Sequence, residues 1–192
     1  MNIFFLDKTP ELSAEYLCDK HVPKMLLESA QMLSTAVQRH TGEIEELYKP
    51  AYPKHPMTIW VGDNRSNFDW AFKNALWINN EYQYRFKKVH KSYRIIEDIL
   101  HNDYKEKIPE GKFVKPPQCM PDEYKDKNYV TAYRNYYKGE KEYFACYQER
   151  TEEGKESMRR SSKEMEKETK EYYKQRSTVN TIPLKTLRYG NS

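Results

Sequence analysis

The segment Asn67-Phe68-Asp69-Trp70-Ala71-Phe72-Lys73-Asn74-Ala75-Leu76-Trp77-Ile78 decides the fold class. Phe68, Ala71, Phe72, Ala75, Leu76 and Ile78 recur mostly at three- and four-residue steps, and Tyr82 and Phe86 continue the series. That period belongs to an α-helix with one face turned to a core, so a helix is predicted from Asn64 or Ser66 to about His90. The same period returns on either side. A helix from about Lys20 to His40 would bury Met25, Leu26, Ser29, Met32, Leu33 and Val37, with Gly42 as its stop. Another, Ser92 to His101, would bury Ile95, Ile96, Ile99 and Leu100. A further one, from Tyr129 to about Arg150, offers Val130, Tyr133, Tyr136, Tyr137, Phe144 and Tyr147 for burial. Thr9-Pro10-Glu11, a capping hydroxyl followed by proline, starts a short helix running to about Leu17.

The connections complete an all-α reading. Residues 2–6 are an apolar run, strand-like or packed into the core. Residues 43–62, with Pro50, Pro53 and Pro56, read as an ordered loop. Residues 102–127 form a long proline-containing connection of the kind that is functional or mobile. Residues 151–178 alternate acids and bases with few apolar positions, as in a solvated helix or tail, while 182–189 are apolar enough to dock. The expected architecture is a compact single-domain helical bundle over 1–150, followed by a charged helix or tail over 151–192.

Composition narrows the function classes. The 192 residues include 17 Tyr, 7 Phe and 3 Trp, so a polar chain can still close on an aromatic core. The net charge of +4 lies in the second half: residues 1–102 carry 13 bases and 13 acids, and 103–192 carry 20 and 16. Three widely spaced cysteines and five histidines show no metal-ligand spacing, so no metal site and no cofactor are expected. Six glycines form neither a dinucleotide-binding loop nor a P-loop, and HExxH and GxSxG are absent. With no membrane-spanning run and no signal peptide at the start, a cytoplasmic protein that does not enter a membrane is expected.

Two clusters carry chemistry. In Asp19-Lys20-His21-Val22-Pro23-Lys24-Met25-Leu26-Leu27-Glu28, Asp19 is the candidate N-cap and Pro23 falls in the first turn. His21 and Glu28, seven apart, share a helix face with Lys24 between them. An amine and an imidazole beside a carboxylate can move protons, form a Schiff base or hold a sugar-centred cation. Ordinary surface ion pairs are the bland alternative. Residues 82–94 hold the second cluster. Arg85, Lys87, Lys88, Lys91 and Arg94 have no acid among them and have aromatics between, the make-up of a surface that binds DNA phosphates and stacks on a base. A solvated helix face is the alternative there.

Leu17-x-Asp19-x-His21-Val22, with Glu28 seven residues after the histidine, resembles the first helix of the phage-type pyrimidine-dimer DNA glycosylases, the endonuclease V type. Residues 1–150 also resemble a family of tailed-phage proteins that open with similar Asp-Lys-His and Glu-x-Ala-Gln segments. The resemblance implies a small all-α hydrolase of DNA, working in the cytoplasm of the host cell, with Glu28 as catalytic carboxylate and His21 in the site. In that family the nucleophile is the α-amine exposed when the initiator Met is removed before a small residue. Asn2 is too large to favour removal, which leaves the α-amine of Met1, or Lys20 or Lys24. A lysine would need its pKa lowered from about 10.4 towards neutrality to attack well. The family's arginines near the glutamate are Leu27 and Gln31 here, so the 85–94 cations would have to grip DNA. Trp60, Trp70 or Tyr82 are candidates to stack on the opened helix, and the 102–127 connection to cover the site.

The expected function is therefore processing of a pyrimidine nucleotide in DNA. The alternatives are a pyrophosphorylase-like transferase of phage thymine hypermodification, and a non-enzymatic phage protein binding DNA or a host protein, with the charged tail as a candidate contact.

Overall fold

Asn64 accepts the Asn67 N–H through its side chain and so starts the longest helix of the computed structural model, Arg65–Phe86. The structure describes residues 1–148 together with Lys167, and expectations placed elsewhere in 149–192 lie outside the described residues. In chain order the helices are α1 (Pro10–Glu15), α2 (His21–Thr41), α3 (Pro56–Asp63), α4 (Arg65–Phe86), α5 (Tyr93–His101) and α6 (Tyr129–Lys141). Short 3-10 turns occupy Asp103–Lys107, Asp122–Tyr124 and Glu142–Phe144. Among the described residues there is no strand, and the fold is a compact all-α one. The chain divides into Met1–Thr151 and Glu152–Ser192, and the described helices belong to the first unit.

Local chemistry places these elements. Thr9 caps α1 by accepting the Leu12 N–H, with Pro10 at the first helical position. Met25, Leu26, Ser29, Met32, Leu33 and Val37 of α2 are all buried, and Gly42 closes the helix at a φ of 84° that favours glycine. On α4, Phe68, Ala71, Phe72, Ala75 and Ile78 are buried as the period requires.

Residues 2–6 take the packed alternative. Ile3, Phe4, Phe5 and Leu6 are buried without forming a strand. Phe5 is the hub of the aromatic core: Trp70 stacks on it at 4.2 Å, Trp60 meets it edge-on at 5.4 Å, and Tyr133 lies at 5.6 Å. Trp60 and Trp70 are thus core residues, not platforms for an opened DNA helix, and their indole N–H groups donate to Val114 and Lys8 carbonyls.

Several boundaries differ from the sequence reading. The proline-rich 43–62 loop contains α3. His55 accepts the Met57 N–H through Nδ1, and Pro56 sits at the first helical position, where its missing N–H costs nothing. Helix α4 ends at Phe86, four residues before His90, because Lys87 adopts the left-handed conformation (φ 53°) and its N–H bonds back to Gln83. The last described helix, α6, ends at Lys141, short of Arg150, and tightens into the 3-10 turn over Glu142–Phe144. Tyr147, expected to be buried, is more than half exposed.

The 102–127 connection is neither structureless nor loose. Besides its two 3-10 turns, it is fastened by Arg65 N–H to Pro109 O, Ser66 Oγ to Gly111 O and Asn67 Oδ1 to Val114 N–H. The Tyr133 hydroxyl donates to Pro117 O at 2.8 Å. Asn2 Nδ2 reaches Cys119 O at 3.1 Å, which brings the strap to the amino terminus.

Candidate active site

Glu28 lies on the third turn of α2, on the side of the helix where the amino terminus passes. The Met1 nitrogen is 3.7 Å from Glu28 Oε2, and the Asn2 N–H donates to that oxygen at 2.8 Å. Lys24, one turn earlier, places Nζ 3.9 Å from Oε1. Only about 15 % of the Glu28 side chain is exposed, against 62 % of Lys24. The α-amine and the carboxylate therefore meet in a partly dry setting, where charge interactions are stronger than in water.

The terminus is held on several sides. The Met1 side chain is almost wholly buried, with Thr58 Oγ1 on α3 donating to its sulfur at 3.5 Å. Asn2 Oδ1 accepts the backbone N–H of Ile3 and sits 3.2 Å from the Tyr133 hydroxyl. His55 belongs to the same neighbourhood. Burial holds its imidazole below the usual value, the positive terminus adds to this, and Glu28 opposes it. Burial likewise pushes the Cys119 thiol up, although the terminal amine and Lys125 favour its thiolate.

Of the expected site residues, the structure brings together Met1, Lys24 and Glu28. His21 is buried and turned to other partners. The Tyr137 hydroxyl accepts the Cys18 N–H at 2.9 Å and shares a hydrogen bond with His21 Nδ1 at 2.7 Å. Phe4 stacks on the ring at 5.1 Å and Phe144 meets its edge at 5.4 Å. Burial, with Lys24 and Lys141 adding positive charge, pushes His21 down to about 4, so it is neutral near pH 7. Lys20 lies over the Phe144 ring at 5.3 Å, away from the amine–carboxylate contact.

Two expectations are corrected here. Asp19 does not cap α2, whose N-cap is Lys20 with no side-chain cap bond, because its carboxylate is taken by Arg85 at 2.9 Å. Arg85 in turn is not a DNA-facing cation: it is 5 % exposed and all its donors are engaged inside the protein. Lys87, Lys88, Lys91 and Arg94 are exposed, but the end of α4 divides them between that terminus, a loop and the first turn of α5. Lys87 sits over the Tyr84 ring at 4.7 Å, and Tyr82 packs against Phe86 and His90.

Sequence reasoning missed Asn2, His55, Thr58 and Tyr137. His55-Pro56 was the legible signal among these, since an Asx-like cap before proline marks a helix start. The others depend on contacts across 26 to 119 residues. Among the described residues no group of three His, Cys, Asp or Glu side chains is placed to hold a metal ion, and no helix is long and apolar enough to cross a membrane. The site thus sets the Met1 nitrogen against a shielded glutamate on a helix of an all-α fold. No family model, curated protein or solved structure matches the chain.

The depressed His21 value predicts a pH effect on stability. The unfolded chain binds this proton near pH 6.5 and the folded one near 4, so stability is fully present above 6.5 and falls as pH drops towards 4. The loss attributable to His21 is of order 3 kcal/mol at about 1.36 kcal/mol per unit. Urea midpoints measured between pH 7 and 4 should fall more steeply for the wild type than for His21→Phe. Equal slopes would show that His21 titrates normally.

Proposed function

We propose that this protein processes a pyrimidine nucleotide in DNA by cutting its glycosidic bond, with Glu28 as catalytic carboxylate and the Met1 α-amine as nucleophile. The observation that carries the reading is the 3.7 Å approach of the Met1 nitrogen to Glu28, two groups that the sequence separates by the whole of α1 and the first turns of α2. As the bond from C1′ to the base breaks, its electron pair leaves with the base, which takes up a proton. Glu28 stabilises the positive charge developing on the sugar. The amine, as its free base, adds its lone pair to C1′; it then passes one proton to the ring oxygen as the C1′–O4′ bond breaks, which leaves a protonated imine that water can hydrolyse.

Burial favours Met1 over Lys24 as that amine: Lys24 is largely exposed, whereas the terminus is fixed by its buried side chain and by the strap over Asn2. Lys24, with the exposed cations Lys87, Lys88, Lys91 and Arg94, supplies charge for a phosphate backbone.

Borohydride reduction in the presence of abasic or ultraviolet-irradiated DNA tests the reading. A covalent adduct is expected, mapping to residue 1, and Lys24→Ala should retain it with a rate loss below about tenfold. Mapping to Lys24 would reassign the nucleophile. Salt-dependent DNA affinity without any adduct, lost when Lys87, Lys88 and Lys91 are neutralised, would identify a binding protein. Adduct-free base modification would favour the hypermodification alternative.

A further inference from the structure

A second concavity lies apart from the Met1–Glu28 contact and shares none of its residues. It has a volume of about 400 Å³, in the range of small-ligand sites, with Leu6 and Tyr137 among its buried lining. Tyr16 and Tyr147, which also line it, leave 42 % and 55 % of their surface exposed. Two large rings that keep exposed surface beside one cavity offer faces on which a planar ligand can stack.

The charged lining is asymmetric. Arg134 and Lys138 supply two cations against one carboxylate, Glu142. Arg134 is already fixed: Nε donates to Leu6 O at 2.6 Å, Nη2 pairs with Asp7 at 3.1 Å, and the guanidinium lies 5.6 Å from the Tyr16 ring centre. Lys138 is exposed and makes no ion pair among the described residues. It is the cation available to a ligand.

We propose that this cavity binds a nucleoside monophosphate whose base carries an exocyclic amino group. The base stacks on the tyrosine rings, the phosphate meets the Lys138 ammonium beside Arg134, and Glu142 accepts from the amino group. Such a site is independent of the glycosylase reading. Tyr137 lines the cavity and also contacts the His21 ring, which makes His21 a reporter of binding there.

Titration of the full chain with adenosine 5′-monophosphate, followed by calorimetry and by the His21 ring proton signals, tests the proposal. Saturable binding is expected, with the His21 signals shifting. Affinity should fall at least fivefold in Lys138→Ala and again in Tyr147→Ala, both exposed positions at which the fold is retained, as circular dichroism would check. Thymidine 5′-monophosphate, lacking the amino group, should bind several-fold more weakly. Absence of saturable binding, or affinities unchanged in both variants, would overturn the site. Competition by inorganic phosphate at equal concentration would reduce it to an anion patch and overturn it equally. The borohydride result stands or falls separately, since it is read at residue 1.

Discussion

Glu28→Gln is expected to lower the rate of base release and of borohydride-trapped adduct by at least a thousandfold while leaving the protein folded. The substitution keeps the size of the side chain and an oxygen to accept the Asn2 N–H, now held at 2.8 Å. What it removes is the negative charge facing the Met1 nitrogen. A charge opposing a developing cation in a shielded site contributes several kcal/mol to the transition state, and each 1.36 kcal/mol is about tenfold in rate. The largely exposed Lys24 contact contributes little, and loss of the shielded charge beside the Met1 nitrogen should cost about 1–3 kcal/mol of stability, a loss the fold survives. Rates are best compared in single turnover, so that slow product release does not mask the chemical step. Full activity in Glu28→Gln would remove Glu28 from the mechanism, whatever becomes of the amine.

The parts legible in the sequence are those with a local cause. Phe68, Ala71, Phe72, Ala75 and Ile78 announce their helix by period alone, and Thr9 and Gly42 punctuate theirs by backbone chemistry. Helix α3 was hidden because its proline signal was read as loop, although Pro56 after a capping His55 is compatible with either. Lys87 ended α4 early through a left-handed conformation that lysine seldom adopts, so nothing local foretold it. At the site, Glu28 and Lys24 were legible as helix neighbours and the Met1 amine as a chemical option. Their meeting was not, since residues 1–6 reach Glu28 only by threading the aromatic core around Phe5. His21 illustrates the opposite failure. Its spacing from Glu28 was real, yet Tyr137, 116 residues away, holds the ring.

Arg85→Met should lower stability by about 3–5 kcal/mol. Nε and Nη2 engage Glu81, Nη1 reaches Asp19 Oδ1 at 2.9 Å and Leu17 O at 2.6 Å, and Nη2 donates to Glu15 O at 3.0 Å. All five guanidinium donors are therefore used, two of them on carbonyls at the end of α1 and in the turn before α2. Both Arg85 and Glu81 side chains are 2 % exposed, so methionine fills the volume but takes the guanidinium away from a buried carboxylate. For a chain of this size each kcal/mol is about 2–4 °C, so the melting temperature should fall by roughly 6–20 °C. The companion Arg85→Met/Glu81→Met decides the cause. If loss of the guanidinium beside Glu81 dominates, the double variant regains most of the stability, as buried pairs replaced by apolar groups often do. If the anchored carbonyls dominate, the double variant stays as unstable as the single one and the turn over Leu17–Asp19 loosens. In that second case adduct formation at residue 1 should also slow, because this turn sets the start of the helix that carries Glu28. A single variant as stable as the wild type would show that the network contributes no net stability.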